Sequence, residues 1–329
     1  MVLVTGGTGL VGAHLLLHLV ENGDAASAIY RNAATIEKTK SLFSLYNKES
    51  LFNKVDWIQA DIIDIPSLEI AFENIEYVYH CAALISFNPK DENLLRKINI
   101  EGTANIVNFC IAKNIKKLCF MSSISALGDL KENEKIRTEE SEWNPELPHS
   151  DYAISKYGAE MEIWRGQQEG LDTVILNPGV ILGPGFWEQG SGMLFKRVAS
   201  GLSFYTKGVT GFIAVSDVVR IAAELMKSKN SNERYTLIAE NMAFKDLLYS
   251  IADSLNVKRP SIHASPFLLE IASRIDWFIS TTFRQKRKLD QATAKASYAM
   301  NYYSNEKIKK TLATEFTDIR QYIAAISKL

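Results

Sequence analysis

Tyr152 and Lys156 stand four residues apart in the run Asp151-Tyr-Ala-Ile-Ser-Lys-Tyr-Gly-Ala-Glu160. On a helix that spacing puts both side chains on one face. A free tyrosine, with a pKa of about 10, is a poor base near neutrality. A neighbouring ammonium favours the phenolate, so Lys156 is expected to lower the pKa of Tyr152. Tyr152 could then pass a proton to or from an alcohol oxygen. A Tyr-x-x-x-Lys pair is common on surface helices, and its neighbours give it weight here. Upstream, an apolar run ends in hydroxyls: Cys119-Phe-Met-Ser122-Ser123-Ile-Ser125-Ala-Leu-Gly128. A serine at such a strand end can hydrogen-bond a substrate oxygen and stabilise the charge developing on it.

The second chemical feature is Val4-Thr5-Gly6-Gly7-Thr8-Gly9-Leu10-Val11-Gly12. Gly6, Gly9 and Gly12 are spaced by three, with an apolar strand before and an apolar helix after. Such a turn lets backbone approach a pyrophosphate and points free N–H groups and a helix dipole at it. The dinucleotide fingerprint is Gly-x-Gly-x-x-Gly; this turn is one residue longer at its start.

These groups need elements to hold them. Residues 26–30, 55–60, 77–81, 117–121 and 173–177 are short, largely apolar runs. They alternate with helical patterns at 10–22, 34–46, 66–74, 92–113 and 151–169. A βαβ series of this kind predicts a parallel, doubly wound α/β sheet with right-handed crossovers and ligands at the strands' carboxyl ends. Residues 129–150 interrupt the rhythm as a charged loop with Pro145 and Pro148, either a solvated excursion or a cover over the substrate. Beyond 178, strands at 212–215 and 234–238 mix with helices at 191–200, 216–228, 244–255 and 265–289. The expected organisation is a dinucleotide-binding domain over 1–178, to which some later segments return, and a smaller C-terminal substrate lobe over 179–329. Helix 265–289 is amphipathic with a basic end. Membrane-surface binding is one reading; an apolar stripe in the core with cations at the helix C-terminus is the other.

The chain has 329 residues, 47% hydrophobic and 23% charged, with net charge −1. That balance gives no reason to expect a nucleic-acid or anionic-membrane partner. No apolar run reaches membrane-spanning length, and no basic segment precedes an apolar leader. Three cysteines, Cys81, Cys110 and Cys119, without Cys-x-x-Cys spacing suit a reducing, cytoplasmic location. The five histidines have no metal-ligand spacing, so no metal is expected.

The glycine turn, the strand-end serines and Tyr-x-x-x-Lys, in that order, resemble the extended short-chain dehydrogenase/reductases. This branch includes NAD-dependent epimerase/dehydratases, dihydroflavonol reductases and 3β-hydroxysteroid dehydrogenases. Further segments extend the resemblance over nearly the whole chain: His80-Cys-Ala-Ala83, Asn99-Ile-Glu-Gly-Thr-Ala-Asn105, Ser216-Asp217-Val218 and Asn177-Pro-Gly-Val-Ile-Leu-Gly-Pro184. It implies a Rossmann fold and three catalytic residues. Tyr152 is the acid/base, Lys156 holds the nicotinamide ribose, and Ser123, with Ser122 as runner-up, polarises the carbonyl. The cofactor would lie against Gly6, Gly7, Thr8, Gly9, Leu10, Val11 and Gly12. Asp61 and Ile62, Cys81, Ala82 and Ala83, Asn99, Ser122, Pro178 and Val180 would complete its contacts. His80 reads as a packed strand-end histidine. A homodimer through helices 92–113 and 151–169 is compatible with the resemblance.

Strand two ends Ala28-Ile29-Tyr30-Arg31-Asn32 without the acid that usually accepts from an NAD ribose. Arg31 could pair with a 2′-phosphate, and Lys38 matches a second cation of the reductase-like pattern. NADP is therefore expected, with NAD the alternative. The arginine and the acidic partner typical of sugar-nucleotide epimerases and dehydratases are not found at their usual places. Carbonyl/alcohol redox on a small, fairly apolar substrate is preferred to an NAD-retaining nucleotide-sugar epimerase or a non-catalytic nucleotide-binding module. Leu84, Ile85, Phe87, Leu127, Phe186, Trp187, Met193 and Phe195 are candidates to line the substrate pocket.

Overall fold

The computed structural model describes residues 1–266 and 297–329. The amphipathic pattern at 265–289 falls almost wholly outside them.

The alternation of short apolar runs and helices builds one parallel sheet. Its first strands are β1 (Val2–Thr5), β2 (Ala26–Tyr30), β3 (Val55–Gln59), β4 (Tyr77–His80), β5 (Lys117–Met121) and β6 (Thr173–Pro178). A short β7 (Val180–Leu182) follows, then β8 (Phe204–Tyr205), β9 (Val209–Ala214), β10 (Glu233–Leu237), β11 (Glu240–Ala243) and β12 (Ile262–His263). The main sheet runs β10-β6-β5-β4-β1-β2-β3. Val4 pairs with Ala28 and Tyr79, Met121 with Leu176, and Leu176 with Tyr235. The inner strands are covered on both faces, so they read as unbroken apolar runs. Leu118, Val174, Ile175 and Leu176 have no exposed surface. The strand order reverses between β1 and β4, which opens the crevice where doubly wound sheets bind ligands.

Helices α1 (Leu10–Glu21), α2 (Ile36–Leu45), α3 (Glu49–Phe52) and α4 (Ile65–Ala71) precede β4. The predicted helix 92–113 forms as α5 (Glu92–Leu95), a stretch of wider π-type turns (Arg96–Glu101) and α6 (Gly102–Ala112). Such widened turns often occur at functional sites, and Asn99 lies on this one. Helix α7 (Asp151–Gln168) opens with the Ser150 hydroxyl accepting from the Ala153 N–H at 3.2 Å, a side-chain N-cap.

After β6 the chain builds a second, three-stranded sheet, β11-β9-β7, together with α8 (Gly192–Ala199) and α10 (Phe244–Ser254). Their core includes Phe195, Phe212, Leu247 and Ile251. The chain also returns to the main sheet. Strand β10 pairs with β6, and α9 (Val215–Lys227) packs on α1. The run at 234–238 is thus a main-sheet strand. Asp217, in the Ser-Asp-Val segment, is buried, accepts from the Thr317 N–H at 2.8 Å and pairs with Arg220 at 3.1 Å. It fastens the C-terminal segment to α9. Among the described residues no helix is long and apolar enough to cross a membrane.

Candidate active site

The glycine turn folds tightly between β1 and α1. The Gly9 N–H donates to the Gly6 carbonyl at 3.0 Å. Gly6 has φ of 71°, a left-handed conformation that favours glycine, and a Cβ there would lie 2.7 Å from the Ala82 nitrogen. A Cβ at Gly12 would run into the Gly6 carbonyl oxygen. Gly9 caps α1 without a side-chain bond, which leaves first-turn N–H groups available to an anion. A cleft of about 300 Å³ opens here. Gly6, Thr8, Gly9, Arg31, Lys38, Asp61, Ile62, Cys81, Ala82 and Ala83 line it, all expected at the cofactor. Tyr30, Thr35, Leu84 and Gln189 line it as well. Thr35 lies in a short turn capped by Asn32, and Gln189 arrives from the C-terminal half, so no local signal announced either. The arrangement fits a dinucleotide: bare backbone at the turn, and a guanidinium and an ammonium beyond β2. Arg31 is 65% exposed and stands 4.0 Å from Asp61.

Other expected cofactor residues are placed differently. The Gly7 carbonyl accepts from the Thr39 hydroxyl at 2.9 Å, and Leu10 and Val11 pack against the core. Asn99 is buried, and its two amide hydrogens go to the Leu84 carbonyl at 3.0 Å and the Ser155 hydroxyl at 2.9 Å. Its Oδ1 accepts from the Leu84 N–H at 2.8 Å. Asn99 thus clamps the segment after β4 to α7. The rest of its motif does similar work. A Cβ on Gly102 would meet Ile62 at 2.5 Å, and Asn105 donates to the Ile62 carbonyl at 2.9 Å. Val180 pairs with Phe212 in the second sheet, and Pro178 ends β6.

His80 is a packed histidine, and its bonds assign its tautomer. The Ala82 N–H donates to Thr5 Oγ1 at 3.1 Å, and Thr103 Oγ1 donates to the Asn99 carbonyl at 2.6 Å. Thr5 can then donate to His80 Nδ1 (2.7 Å), while His80 Nε2–H donates to Thr103 (3.0 Å). The ring is neutral in this chain. Burial, with the charge of Lys156, pushes its pKa down to about 3.

At the other end of the crevice, Tyr152 is buried, with Ser123 close enough to act on its hydroxyl. Ser123 Oγ also accepts from the Ser125 N–H at 3.1 Å. Lys156 is fully buried, lies 4.3 Å from the centre of the Phe120 ring and donates to the Met121 carbonyl at 2.8 Å. The expected depression of Tyr152 by Lys156 is not what the protein alone produces. Burial dominates and pushes Tyr152 up to about 12, while Ser123 works in the lowering direction. Lys156 itself is pushed down to about 8, chiefly by burial. Behind them lies Glu160, with no exposed surface, a residue absent from the sequence-based expectations. It accepts from Ser122, from Asn177 at 2.6 Å and from Arg234 at 3.2 Å. Its place four residues beyond Lys156 was the available signal.

The loop 129–150 is anchored. Trp143 stacks on His149 at 3.8 Å and on Tyr157 of α7 at 4.4 Å. Arg137 donates to the Gly128 carbonyl at 3.1 Å and to Asn301 at 2.7 Å. Of the expected pocket-lining residues, Leu127, Phe186 and Phe195 are buried in separate apolar clusters. Phe87 stands edge-on to Tyr152 at 5.7 Å, and Phe87 and Ile85 are exposed.

Residues 2–238 match the model of the NAD dependent epimerase/dehydratase family. A Synechocystis protein with a provisional dihydroflavonol 4-reductase name is 26% identical over 98% of this chain and 92% of its own. Sterol demethylase protein B of Methylococcus capsulatus is 25% identical over 82% and 78%. The solved UDP-glucose 4-epimerase of Thermotoga maritima shares the fold, with a TM-score of 0.78 at 19% identity over 99% and 97%. This chain belongs to the NAD dependent epimerase/dehydratase family of NAD(P)-linked enzymes that act at CH–OH and C=O centres.

Proposed function

We propose that this protein is an NADP-dependent reductase of a fairly apolar ketone or aldehyde. The observation that carries the reading is the placement of buried Tyr152 and Lys156, one helical turn apart on α7, with Ser123 just past the carboxyl end of β5 and acting on Tyr152. When bound, the cofactor supplies the hydride. Burial keeps Tyr152 a phenol at neutral pH, as a proton donor to a carbonyl oxygen requires. Ser123 donates a hydrogen bond to the same oxygen as negative charge develops on it. Lys156 contributes a positive charge beneath the phenol and an ammonium to hold the nicotinamide ribose. Hydride to carbon and proton to oxygen give the alcohol.

The NADP preference is supported by Arg31 and Lys38 at the cleft wall. The apolar substrate is supported by Phe87 beside Tyr152, by exposed Ile85 two residues before Phe87, and by similarity to proteins named for dihydroflavonol and sterol chemistry. A homodimer belongs to the same reading, supported by exposed Leu94 on α5 and Met161 on α7; sedimentation would test it. The deciding experiment follows NADPH oxidation across a panel of cyclic ketones, flavonoid and steroid frameworks included. Turnover of at least one, with NADPH bound more tightly than NADH, is expected. Turnover of a UDP-sugar with tightly held NAD would replace this reading with the epimerase one.

A further inference from the structure

Glu160 has no part in the proton transfer described above, yet it is the most heavily bonded buried acid near the site. Its oxygens accept from Ser122, Asn177 and Arg234. The Asn177 amide nitrogen and the Arg234 guanidinium can only donate, so the geometry calls for a carboxylate at the centre. The same Asn177 nitrogen donates to the Ser123 carbonyl at 2.9 Å. Through its neighbours Glu160 therefore grips two consecutive residues at the end of β5. Arg234 lies 5.4 Å from the centre of the Trp164 ring and donates to the Glu139 carbonyl. The Glu139 carboxylate accepts from the Thr236 N–H at 2.6 Å. The loop that leads to Tyr152 is tied into the same network.

We propose that Glu160 is a positioning residue that fixes the Ser122–Ser123 strand end and keeps the Lys156 ammonium charged. The groups facing Lys156 single it out. From β5 come the Phe120 ring and the Met121 carbonyl, both uncharged. From β4 and its exit come His80, neutral in its hydrogen-bond chain, and the Cys81 thiol, which burial pushes up to about 12. From α7 come Tyr152, a phenol, and Glu160. Glu160 is buried one helical turn beyond Lys156 on α7, and the Met121 carbonyl that takes the ammonium adjoins Ser122, whose hydroxyl goes to Glu160; the carboxylate opposes the lowering of Lys156 by burial. Burial raises the pKa of Glu160, and Arg234, Ser122 and Asn177 act against that rise.

The catalytic meaning of Lys156 and Ser123 rests on the proposed function; the charge coupling does not, and its test uses no substrate. In protein labelled with 13C at lysine Cε, Glu160→Gln is expected to lower the Lys156 titration midpoint by about one pH unit, a roughly tenfold rise in its neutral fraction at fixed pH. Ser122→Ala, which removes a tether and leaves the charge, is expected to move it by less than ~0.3 unit. A Glu160→Gln midpoint within ~0.2 unit of the parent overturns the proposal. Should that variant not fold, 13Cδ-glutamate spectra of the unaltered protein decide: an ionised Glu160 at pH 7 is required, and a protonated one overturns the coupling. In a turnover assay the Glu160→Gln change should appear in kcat, with its alkaline limb moved by the same amount. Absence of any turnover would count against the reductase reading and leave the titration result standing.

Discussion

The two ends of the crevice are built from different materials. At the dinucleotide end the working surface is backbone: a glycine turn, an uncapped helix start and exposed cations beyond β2. At the proposed catalytic end it is side chain, buried and cross-linked: Lys156 to Met121, and Glu160 to Ser122, Asn177 and Arg234. An anionic ligand shared by many enzymes can be met by N–H groups and mobile cations. Proton transfer needs groups whose protonation is set by burial and by fixed neighbours. The contrast teaches that damage at one end should show mainly as lost affinity and at the other as lost rate.

The largest expected effect lies at the proposed catalytic end. Tyr152→Phe removes the proposed proton donor and should lower kcat by about 10²–10⁴-fold on any accepted carbonyl. NADPH affinity, read by fluorescence, should fall far less; an intact kcat would break the contrast at once. Next is Arg31→Ala, which should weaken NADPH by about 10- to 100-fold, the value of a charge-assisted bond, with little change for NADH. Equal losses for both cofactors would mean that Arg31 does not face a 2′-phosphate. Gly12→Ala should cost about 1–3 kcal/mol in thermal or urea unfolding and weaken NADPH as the turn is forced open. A stable variant with normal affinity would show that the turn can move.

The smallest effect concerns the packing behind the turn. His14 on α1 is buried, its Nδ1 is 2.8 Å from the Leu10 carbonyl, and burial pushes its pKa down to about 4. The unfolded chain, with a histidine pKa near 6.5, binds the proton first as pH falls. Stability is therefore lost as pH drops through the interval from about 6.5 to 4, and one such histidine contributes about 2 kcal/mol of that loss by pH 5. His80 acts with the same sign. His14→Leu should flatten the decline in melting temperature over this interval. A decline unchanged in that variant would place the acid sensitivity elsewhere.

The same contrast governs what could be read in advance. Spacing is local, so the glycine turn, the strands 26–30 and 117–121 and the Tyr-x-x-x-Lys helix were legible from their own residues. Gln189 enters the dinucleotide cleft, and Arg234 reaches Glu160 from 74 positions away along the chain; neither has a local pattern. The shift of Tyr152 departs from the sequence expectation for a related reason. Spacing puts Lys156 on the same face, but it does not show that the Met121 carbonyl takes the ammonium or that burial governs Tyr152. Asn99 was legible as part of a motif, yet its work as a clamp on Leu84 depends on a contact across 15 residues. Leu127, Phe186 and Phe195 look like any pocket apolar in sequence, and only packing separates core from cleft.

The pairing of β10 with β6 bears on how this chain could be divided. All six residues of β6 are buried, and the strand lies between β5 and a partner that the chain delivers only after residue 232. A fragment stopped at 178 would keep the glycine turn, Tyr152 and Lys156, yet leave an apolar strand with one unpaired row of N–H and C=O groups. Such an edge recruits strands from other molecules. Truncation at the apparent boundary would turn a buried strand into a seed for aggregation.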